Sequence, residues 1–176
     1  MTAEEYKGAD AGDPVVERQK EHVTEHVTDF NAPPVVEFTN VCMEFHPQGP
    51  VRPEGPIVMD LVTRDAQGNP RKQVFQVMEG AISRLRVDFK VHNNACIGLK
   101  CVTGVKALNS MFKEEEVFGA YRADPTTVVT EYTSWFEQPK GFFYRGKYGG
   151  KLYFSDVQHI VHMQLDLEIK IAKSWS

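Results

Sequence analysis

Two segments of this chain alternate apolar and polar side chains with a strict period of two. Successive side chains of a β-strand leave opposite faces of the sheet, so each segment predicts a strand with one buried and one solvated face. A chain built on such segments must pair them into a sheet that covers an apolar core. The apolar positions are Leu85, Val87, Phe89 and Val91 in the first segment and Met163, Leu165, Leu167, Ile169 and Ile171 in the second.

Turn residues divide the rest of residues 33–176 into further short strands. Breaks fall at Pro47-Gln48-Gly49-Pro50, Gln67-Gly68-Asn69-Pro70, His92-Asn93-Asn94 and Gly149-Gly150. Many short strands without interleaved helices predict an all-β fold, an antiparallel β-sandwich. The predicted strands are Val35–Phe45, Ile57–Val62, Val74–Met78, Arg84–Val91, Cys96–Val105, Val117–Tyr121, Val128–Thr133, Phe142–Lys147, Lys151–Phe154 and His162–Ala172.

Residues 1–32 are expected to form a separate N-terminal arm, flexible and partly helical. Residues 1–30 hold eight acidic side chains and three basic ones, which gives them a net charge of −5. The whole chain has a net charge of −4. Asp13-Pro14 is a good helix start, and Val16, Val23 and Val27 follow it on one helical stripe. A short helix with so narrow an apolar stripe is only marginally stable by itself in water, so we expect it to lie on the sandwich or on a partner.

The composition narrows the class of protein. A net charge of −4 does not suggest a nucleic-acid or acidic-membrane partner. Cys42, Cys96 and Cys101 are odd in number and lie within apolar strand patterns, which indicates reduced core cysteines. The first residues lack the pattern of a signal peptide, and no apolar run approaches the length of a membrane span. A soluble, cytoplasmic protein is therefore expected.

Motifs for catalysis and metal binding are weak. His22-Val-Thr-Glu25-His26 could hold zinc on a helix, but a marginal arm supplies neither a third ligand nor a supporting shell. His159 and His162, with Asp156 close by, are better explained as polar residues that enter a strand. The stretch 141–148 resembles a phosphate-binding loop but lacks its final Ser or Thr. We predict no enzyme activity, no metal and no cofactor.

The chain has many large apolar side chains for one small sandwich. An ordinary well-filled core explains it most simply, whereas a slot between the sheets for an apolar ligand is the sharper interpretation. The residues concerned, besides the face from Leu165 to Ile171, are Met59, Phe75, Phe89, Leu99, Met111, Phe112, Phe118, Trp135, Phe136, Phe142, Phe143 and Tyr144.

Short motifs follow one another along the chain in a fixed order and spacing. In that order they resemble the Rho GDP-dissociation inhibitors, over roughly Pro33 to Trp175, and they are specific as a set. The motifs are Pro34-Val35-Val36, Pro56-Ile57-Val58-Met59-Asp60-Leu61, Met78-Glu79-Gly80, Gly98-Leu99-Lys100, Pro139-Lys140-Gly141, Arg145-Gly146-x-Tyr148, Phe154-Ser155-Asp156 and Ile171-x-Lys173-x-Trp175.

The resemblance implies an immunoglobulin-like sandwich that holds a geranylgeranyl chain between its sheets. Phe89 matches a pocket-lining phenylalanine, and Met59 matches an aliphatic pocket position. Met111 matches another, if a one-residue gap precedes Gly119. Phe143 matches a pocket leucine, and Leu165 and Leu167 stand where the family has a Trp-x-Trp pair. The predicted prenyl-binding residues are therefore Met59, Phe89, Met111, Phe143, Leu165 and Leu167.

Two departures from the family concern its ligand and its partner. Leucines at 165 and 167 remove volume from the pocket wall, and we expect Phe143 and Tyr144 to refill it. The family's three consecutive aspartates, which contact the GTPase, are reduced here to Asp156. The predicted GTPase-binding residues are Asp156 and the arm residues Val16, Val23 and Val27.

By this resemblance the protein binds prenylated Rho- or Rac-family GTPases, extracts them from membranes and slows GDP release. It is expected to be a monomer when alone. A general prenyl- or acyl-cargo chaperone, like the delta subunit of the photoreceptor phosphodiesterase, shares the sandwich and the slot but lacks the arm. A sandwich with a purely structural role would bind no lipid. All three remain open at the level of sequence.

Overall fold

The computed structural model describes residues 31–107 and 110–175. The predicted arm helix, with Val16, Val23, Val27 and the motif His22-x-x-Glu25-His26, lies outside the described residues. The strands are β1 (Val35–Phe45), β2 (Ile57–Val58), β3 (Gln73–Met78), β4 (Ile82–His92), β5 (Cys96–Ala107), β6 (Ser110–Tyr121), β7 (Asp124–Tyr132), β8 (Phe136–Glu137), β9 (Gly146–Ser155) and β10 (Val161–Ala172), with one 3₁₀ turn at Phe142–Tyr144.

Two five-stranded sheets form a sandwich. The first has the order β2-β1-β4-β7, with β8 also paired to β4, and the second has the order β3-β10-β9-β5-β6. Every pairing is antiparallel except β3 with β10, which is parallel. The second sheet is therefore mixed, a detail that strand periodicity cannot reveal. Within the described residues, no helix is long and apolar enough to cross a membrane.

The core lies between the two inner faces that the alternating segments supply. Val87 and Phe89 of β4 are fully buried, as are Leu99 of β5 and Phe154 of β9. The ring of Phe38 bridges the sheets, because its centroid lies 5.9 Å from that of Phe89 and 4.6 Å from that of Phe154. The predicted all-β, immunoglobulin-like sandwich is confirmed, and Cys42, Cys96 and Cys101 are buried free thiols.

Polar groups join the facing edge strands β6 and β7 and the loop after β7. The hydroxyl of Tyr121 donates to Glu131 Oε1 over 2.7 Å, and the backbone N–H of Ser134 donates to Glu116 over 2.8 Å. Burial raises the pKa of Tyr121, and the carboxylate of Glu131 raises it further. These bonds link the two sheets along one side of the sandwich.

The outer face of β4 carries one buried carboxylate. Asp88 accepts hydrogen bonds from Thr130 Oγ1 at 2.6 Å, Asn40 Nδ2 at 3.0 Å and Arg86 Nε at 3.3 Å. Burial acts to raise the pKa of Asp88, but the three hydrogen bonds outweigh it and the pKa is lowered. The network connects β1, β4 and β7 across the first sheet.

Several predictions differ from the observed strands; β6, for example, begins at Ser110 rather than at the predicted Val117. The predicted strand Phe142–Lys147 is wrong, since Phe142–Tyr144 forms a 3₁₀ turn and β9 begins at Gly146. The predicted break at Gly149-Gly150 is also wrong, because both glycines lie inside β9 and pair on either side. The predicted strand Ile57–Val62 ends at Val58, because the Asp60 carboxylate accepts the backbone N–H groups of Val62 and Thr63 and turns the chain.

Candidate functional site

Four of the six predicted prenyl-binding residues lie together in the core. Phe89 is completely buried, Met59 is buried, and Leu165 and Leu167 are 1% and 3% exposed. Phe89 projects from β4 in the first sheet, while the two leucines project from β10 in the second. The structure therefore brings these four side chains between the sheets, where an apolar ligand would have to enter.

A glycine lies opposite Leu167 on the inner face of the second sheet. Residues directly opposite each other on neighbouring strands share a face of the sheet. Leu167 pairs with Gly150, and Gly150 pairs with Val105. Gly150 is closely packed against β5, because a Cβ there would meet the carbonyl oxygen of Gly104 at 2.7 Å and Cγ2 of Val105 at 3.3 Å. Gly146, which pairs with Ile171, is open instead, since a Cβ there would meet no atom within 4 Å.

The inner position of this glycine is a feature that the sequence did not reveal. Gly149-Gly150 has the composition of a turn, and only the strand pairing shows that Gly150 is an inner-face residue. One row toward the opposite end of β9, Leu152 pairs with Leu165 and both are buried. Leu165 therefore faces a leucine on the neighbouring strand, whereas Leu167 faces a glycine.

Large apolar side chains are exposed at the same end of the second sheet. Phe143 is 90% exposed and Phe112 is 63% exposed, and Phe142 and Tyr144 are exposed as well. We call these four residues the apolar rim. Phe112 lies at the start of β6, and the other three directly precede β9. Exposed aromatic residues grouped in this way are typical of a ligand or partner site.

The strand register distinguishes Met111 from Phe112. Phe112 pairs with Val105, the residue opposite Gly150, so it belongs to the inner face. Met111 pairs with Lys106, which pairs with Gly149, and that row lies on the outer face. Met111 is exposed there. The geometry therefore favours Phe112 over the predicted Met111 as a neighbour of a ligand between the sheets.

The expected refilling of the wall by Phe143 and Tyr144 is not seen. Both rings are exposed to solvent, so they contribute no volume between Leu167 and the first sheet. Phe143 instead packs edge-to-face on Phe142, with ring centroids 5.9 Å apart. These two rings therefore do not form part of the wall beside Leu165 and Leu167.

A single carboxylate holds the turn that carries three of the four rim residues, Phe142–Tyr144. Glu79 accepts hydrogen bonds from the backbone N–H of Gly141 at 2.9 Å and from Arg145 Nε and Nη2 at 3.0 and 2.7 Å. The guanidinium of Arg145, followed by the Gly141 amide, lowers the pKa of Glu79. Tyr148 adds a hydrogen bond from its hydroxyl to the carbonyl of Tyr144 at 2.6 Å. These hydrogen bonds hold the backbone of the turn Phe142–Tyr144 in place.

Asp156, the predicted GTPase-binding residue, is 1% exposed. Its Oδ1 accepts the backbone N–H groups of Gln158 and Ile160, at 2.8 and 3.1 Å, and its Oδ2 lies 2.9 Å from His162 Nε2. The carboxylate therefore shapes the loop between β9 and β10. In this conformation the side chain does not reach the surface, whereas Val157 beside it does.

Together, the strands define a β-sandwich whose inner faces bury Phe89, Leu165 and Leu167, with large aromatic side chains exposed at one end of the second sheet. A family model described as "RHO protein GDP dissociation inhibitor" matches residues 1–174. The chain belongs to the Rho GDP-dissociation inhibitor family.

Individual relatives agree with this assignment. The chain is 30% identical over 129 residues to Rho GDP-dissociation inhibitor 3 of Mus musculus, which covers 69% of this chain and 53% of the relative. It is 30% identical over 128 residues to Rho GDP-dissociation inhibitor 1 of Bos taurus and of Homo sapiens, covering 69% of this chain and 58% of each relative. The match thus spans little more than half the length of these relatives.

Proposed function

We propose that the protein is a Rho GDP-dissociation inhibitor that binds prenylated Rho- or Rac-family GTPases and takes their geranylgeranyl chain between its sheets. Family membership supports the class of partner. The observation that supports lipid binding is the apolar rim, because large aromatic side chains exposed to solvent are typical of a ligand or partner site.

The prenyl chain would enter past Phe112 and Phe143 and lie against Leu167 and Leu165, with Phe89 and Met59 deeper in the core. Gly146, which lies on the same inner face nearer the rim, is open, because a Cβ there would meet no atom within 4 Å. Burial of each CH₂ is worth about 0.8 kcal/mol relative to water, so an exposed prenyl chain is strongly disfavoured in an aqueous compartment. The slot removes that penalty.

Extraction from a membrane needs a further source of free energy. A bilayer buries the prenyl chain as well as the slot does, so transfer between the two is nearly neutral. Contacts with the body of the GTPase must supply the difference, and we assign them to the arm, with Val16, Val23 and Val27. Ordering such a segment on binding costs about 2–5 kcal/mol, which keeps the complex reversible. The docked arm would hold the nucleotide-binding switches still and slow GDP release.

Asp156 enters this function as a residue that positions the loop between β9 and β10. Its hydrogen bonds to the backbone at Gln158 and Ile160 fix the loop, and the exposed side chain of Val157 is the one available to a GTPase. The protein would act in the cytoplasm as a regulator rather than as an enzyme, and as a monomer in the absence of its client.

The proposal is tested by extraction of geranylgeranylated Rac or Rho from liposomes, with the unprenylated GTPase as control. The informative variant is Phe143→Ser, because a side chain that is 90% exposed can be changed with little effect on stability. Val62→Ser, which alters an exposed valine outside the rim, is the matched control. We expect Phe143→Ser to weaken prenyl-dependent extraction and Val62→Ser to leave it unchanged. Equal extraction by all three proteins would refute the assigned entrance.

A second experiment separates the arm from the slot. Deletion of residues 1–32 should spare binding of a geranylgeranylated peptide and abolish the inhibition of GDP release. Unchanged inhibition would contradict the role of the arm. Binding of the peptide without any extraction of the GTPase by the full chain would instead favour the general lipid-cargo chaperone.

A further inference from the structure

Three potential metal ligands converge at the end of the second sheet where β5 begins, β9 ends and β10 begins. They are Cys96, Asp156 and His162, and their ligand atoms all lie within 4.8 Å of one another. Cys96 and Asp156 are buried, and the side chain of His162 is only 3% exposed. The strands that carry them are neighbours in the sheet, in the order β10-β9-β5.

Both partners approach the same atom of the histidine. His162 Nε2 lies 2.9 Å from Asp156 Oδ2 and 3.9 Å from Cys96 Sγ. In a nucleophilic triad the acid and the thiol take opposite nitrogens of the imidazole ring, so that one orients the ring and the other is activated. The arrangement here instead brings one nitrogen, one oxygen and one sulfur within 4.8 Å of one another, with the oxygen and the sulfur both near the same nitrogen. That is the pattern of ligands around a metal ion rather than of a proton relay.

We propose that Cys96, Asp156 and His162 form a binding site for a divalent transition metal ion, with zinc as the best-matched ion. A thiolate, an imidazole and a carboxylate are the three ligand types that zinc accepts in proteins. One thiolate and one carboxylate carry two negative charges, which a divalent cation neutralises, so the occupied site is electrically neutral. Neutrality matters because an unpaired charge in a buried site is costly.

The chemistry of loading is a proton exchange. The metal ion replaces the proton of the Cys96 thiol, forms a metal–sulfur bond and releases one proton to solvent. A cation between Cys96 and Asp156 pairs with the thiolate and the carboxylate together, so it offsets the repulsion between these two charges.

The surrounding structure is suited to hold such an ion. The second oxygen of Asp156 is bound by the loop amides of Gln158 and Ile160, which orients the carboxylate toward His162. His162 also lines a polar cleft of about 480 Å³ together with Asp65, Lys72 and Asp166, whereas Cys96 and Asp156 do not line it. The site is distinct from the apolar rim, which lies at the opposite end of the second sheet.

Two of the three proposed ligands, Asp156 and His162, were noticed in the sequence analysis. The spacing of Asp156 and His162 was visible, but Cys96 lies sixty-six residues before His162 and its contribution depends on the strand order. The exposed His159, which the sequence placed beside His162, has a left-handed backbone with φ of 63° and is not part of the cluster. Metal binding here is independent of whether the protein acts on a GTPase.

The experiment is a titration of the purified, metal-stripped full chain with Co²⁺, followed by absorption spectroscopy. A thiolate ligand produces a sulfur-to-cobalt charge-transfer band in the near ultraviolet, which carboxylate and imidazole ligands do not. We expect this band at one equivalent, its loss in Cys96→Val and its weakening in His162→Gln. Cys101→Val, which changes another buried cysteine of β5, should retain the band.

Zinc competition and elemental analysis complete the test. One equivalent of Zn²⁺ should abolish the cobalt band and raise the melting temperature of the wild type but not of Cys96→Val. The double variant His22→Gln with His26→Gln should retain both effects, which excludes the arm as the source. Absence of the band in a folded wild-type protein, or its persistence in both Cys96→Val and His162→Gln, would overturn the proposal. If Cys96→Val does not fold, His162→Gln decides alone.

Discussion

Leu165 and Leu167 provide the sharpest test of how the packing between the sheets varies along β10. Both are buried leucines of β10, and they differ in the residue opposite, which is Leu152 for the first and Gly150 for the second. Truncation of a buried leucine to alanine costs about 2–5 kcal/mol, with the larger values where the surroundings are tightly packed. We therefore expect about 4 kcal/mol for Leu165→Ala and about 2 kcal/mol for Leu167→Ala.

Urea denaturation followed by fluorescence measures the difference directly. For a slope of about 2 kcal/mol per molar urea, the midpoint should fall by about 2 M for Leu165→Ala and by about 1 M for Leu167→Ala. The slope itself should not change between the variants, which is the control for a common unfolded state. Equal midpoints, or a greater loss for Leu167→Ala, would show that the layer beside Gly150 is as densely packed as the layer beside Leu152.

Three further predictions follow from the polar contacts. Glu79→Gln should speed amide exchange at Gly141, measured by NMR, because the rim turn loses its charged acceptor; an unchanged rate would assign the turn's rigidity elsewhere. The pKa of Asp88 is lowered in the folded state, so the stability that its carboxylate contributes should be complete above the ordinary pKa of 3.8 and decline as the pH falls below it. Acid denaturation of Asp88→Asn should lack this pH-dependent component. An identical pH profile for the variant and the wild type would count against the role of Asp88. Tyr121→Phe should cost about 1 kcal/mol in thermal denaturation through the lost bond to Glu131, and a neutral effect would show that the link between the sheets is weak.

The strands with a clear period of two were predictable, and those governed by special backbone geometry were not. β1 and β10 agree with their predictions almost to the residue, because apolar alternation and burial coincide there. The strand predicted after Pro139 is a turn, although Phe142–Tyr144 has the composition of a strand. Gly141, with φ of 107°, and the bonds from Glu79 impose a turn instead. Those bonds span more than sixty residues of sequence.

The candidate slot was predictable in its buried half only. Phe89, Leu165 and Leu167 follow from alternation together with the family resemblance, and the structure places them between the sheets. The inner position of Phe112 could not be chosen over Met111, because the choice depends on a register that two irregularities between β5 and β6 determine. The exposure of Phe143 likewise depends on the turn before β9 rather than on its own side chain.

The parallel pairing of β3 with β10 has a consequence for biosynthesis. β3 has no other neighbour in its sheet among the described strands, and its partner is made about ninety residues later. A nascent chain therefore carries residues 73–78 as an unpaired edge until residues 161–172 have left the ribosome. Such late, long-range pairing slows folding and prolongs exposure of apolar surface. Truncated translation products that end before β10 should consequently depend on chaperones and be degraded rather than accumulate.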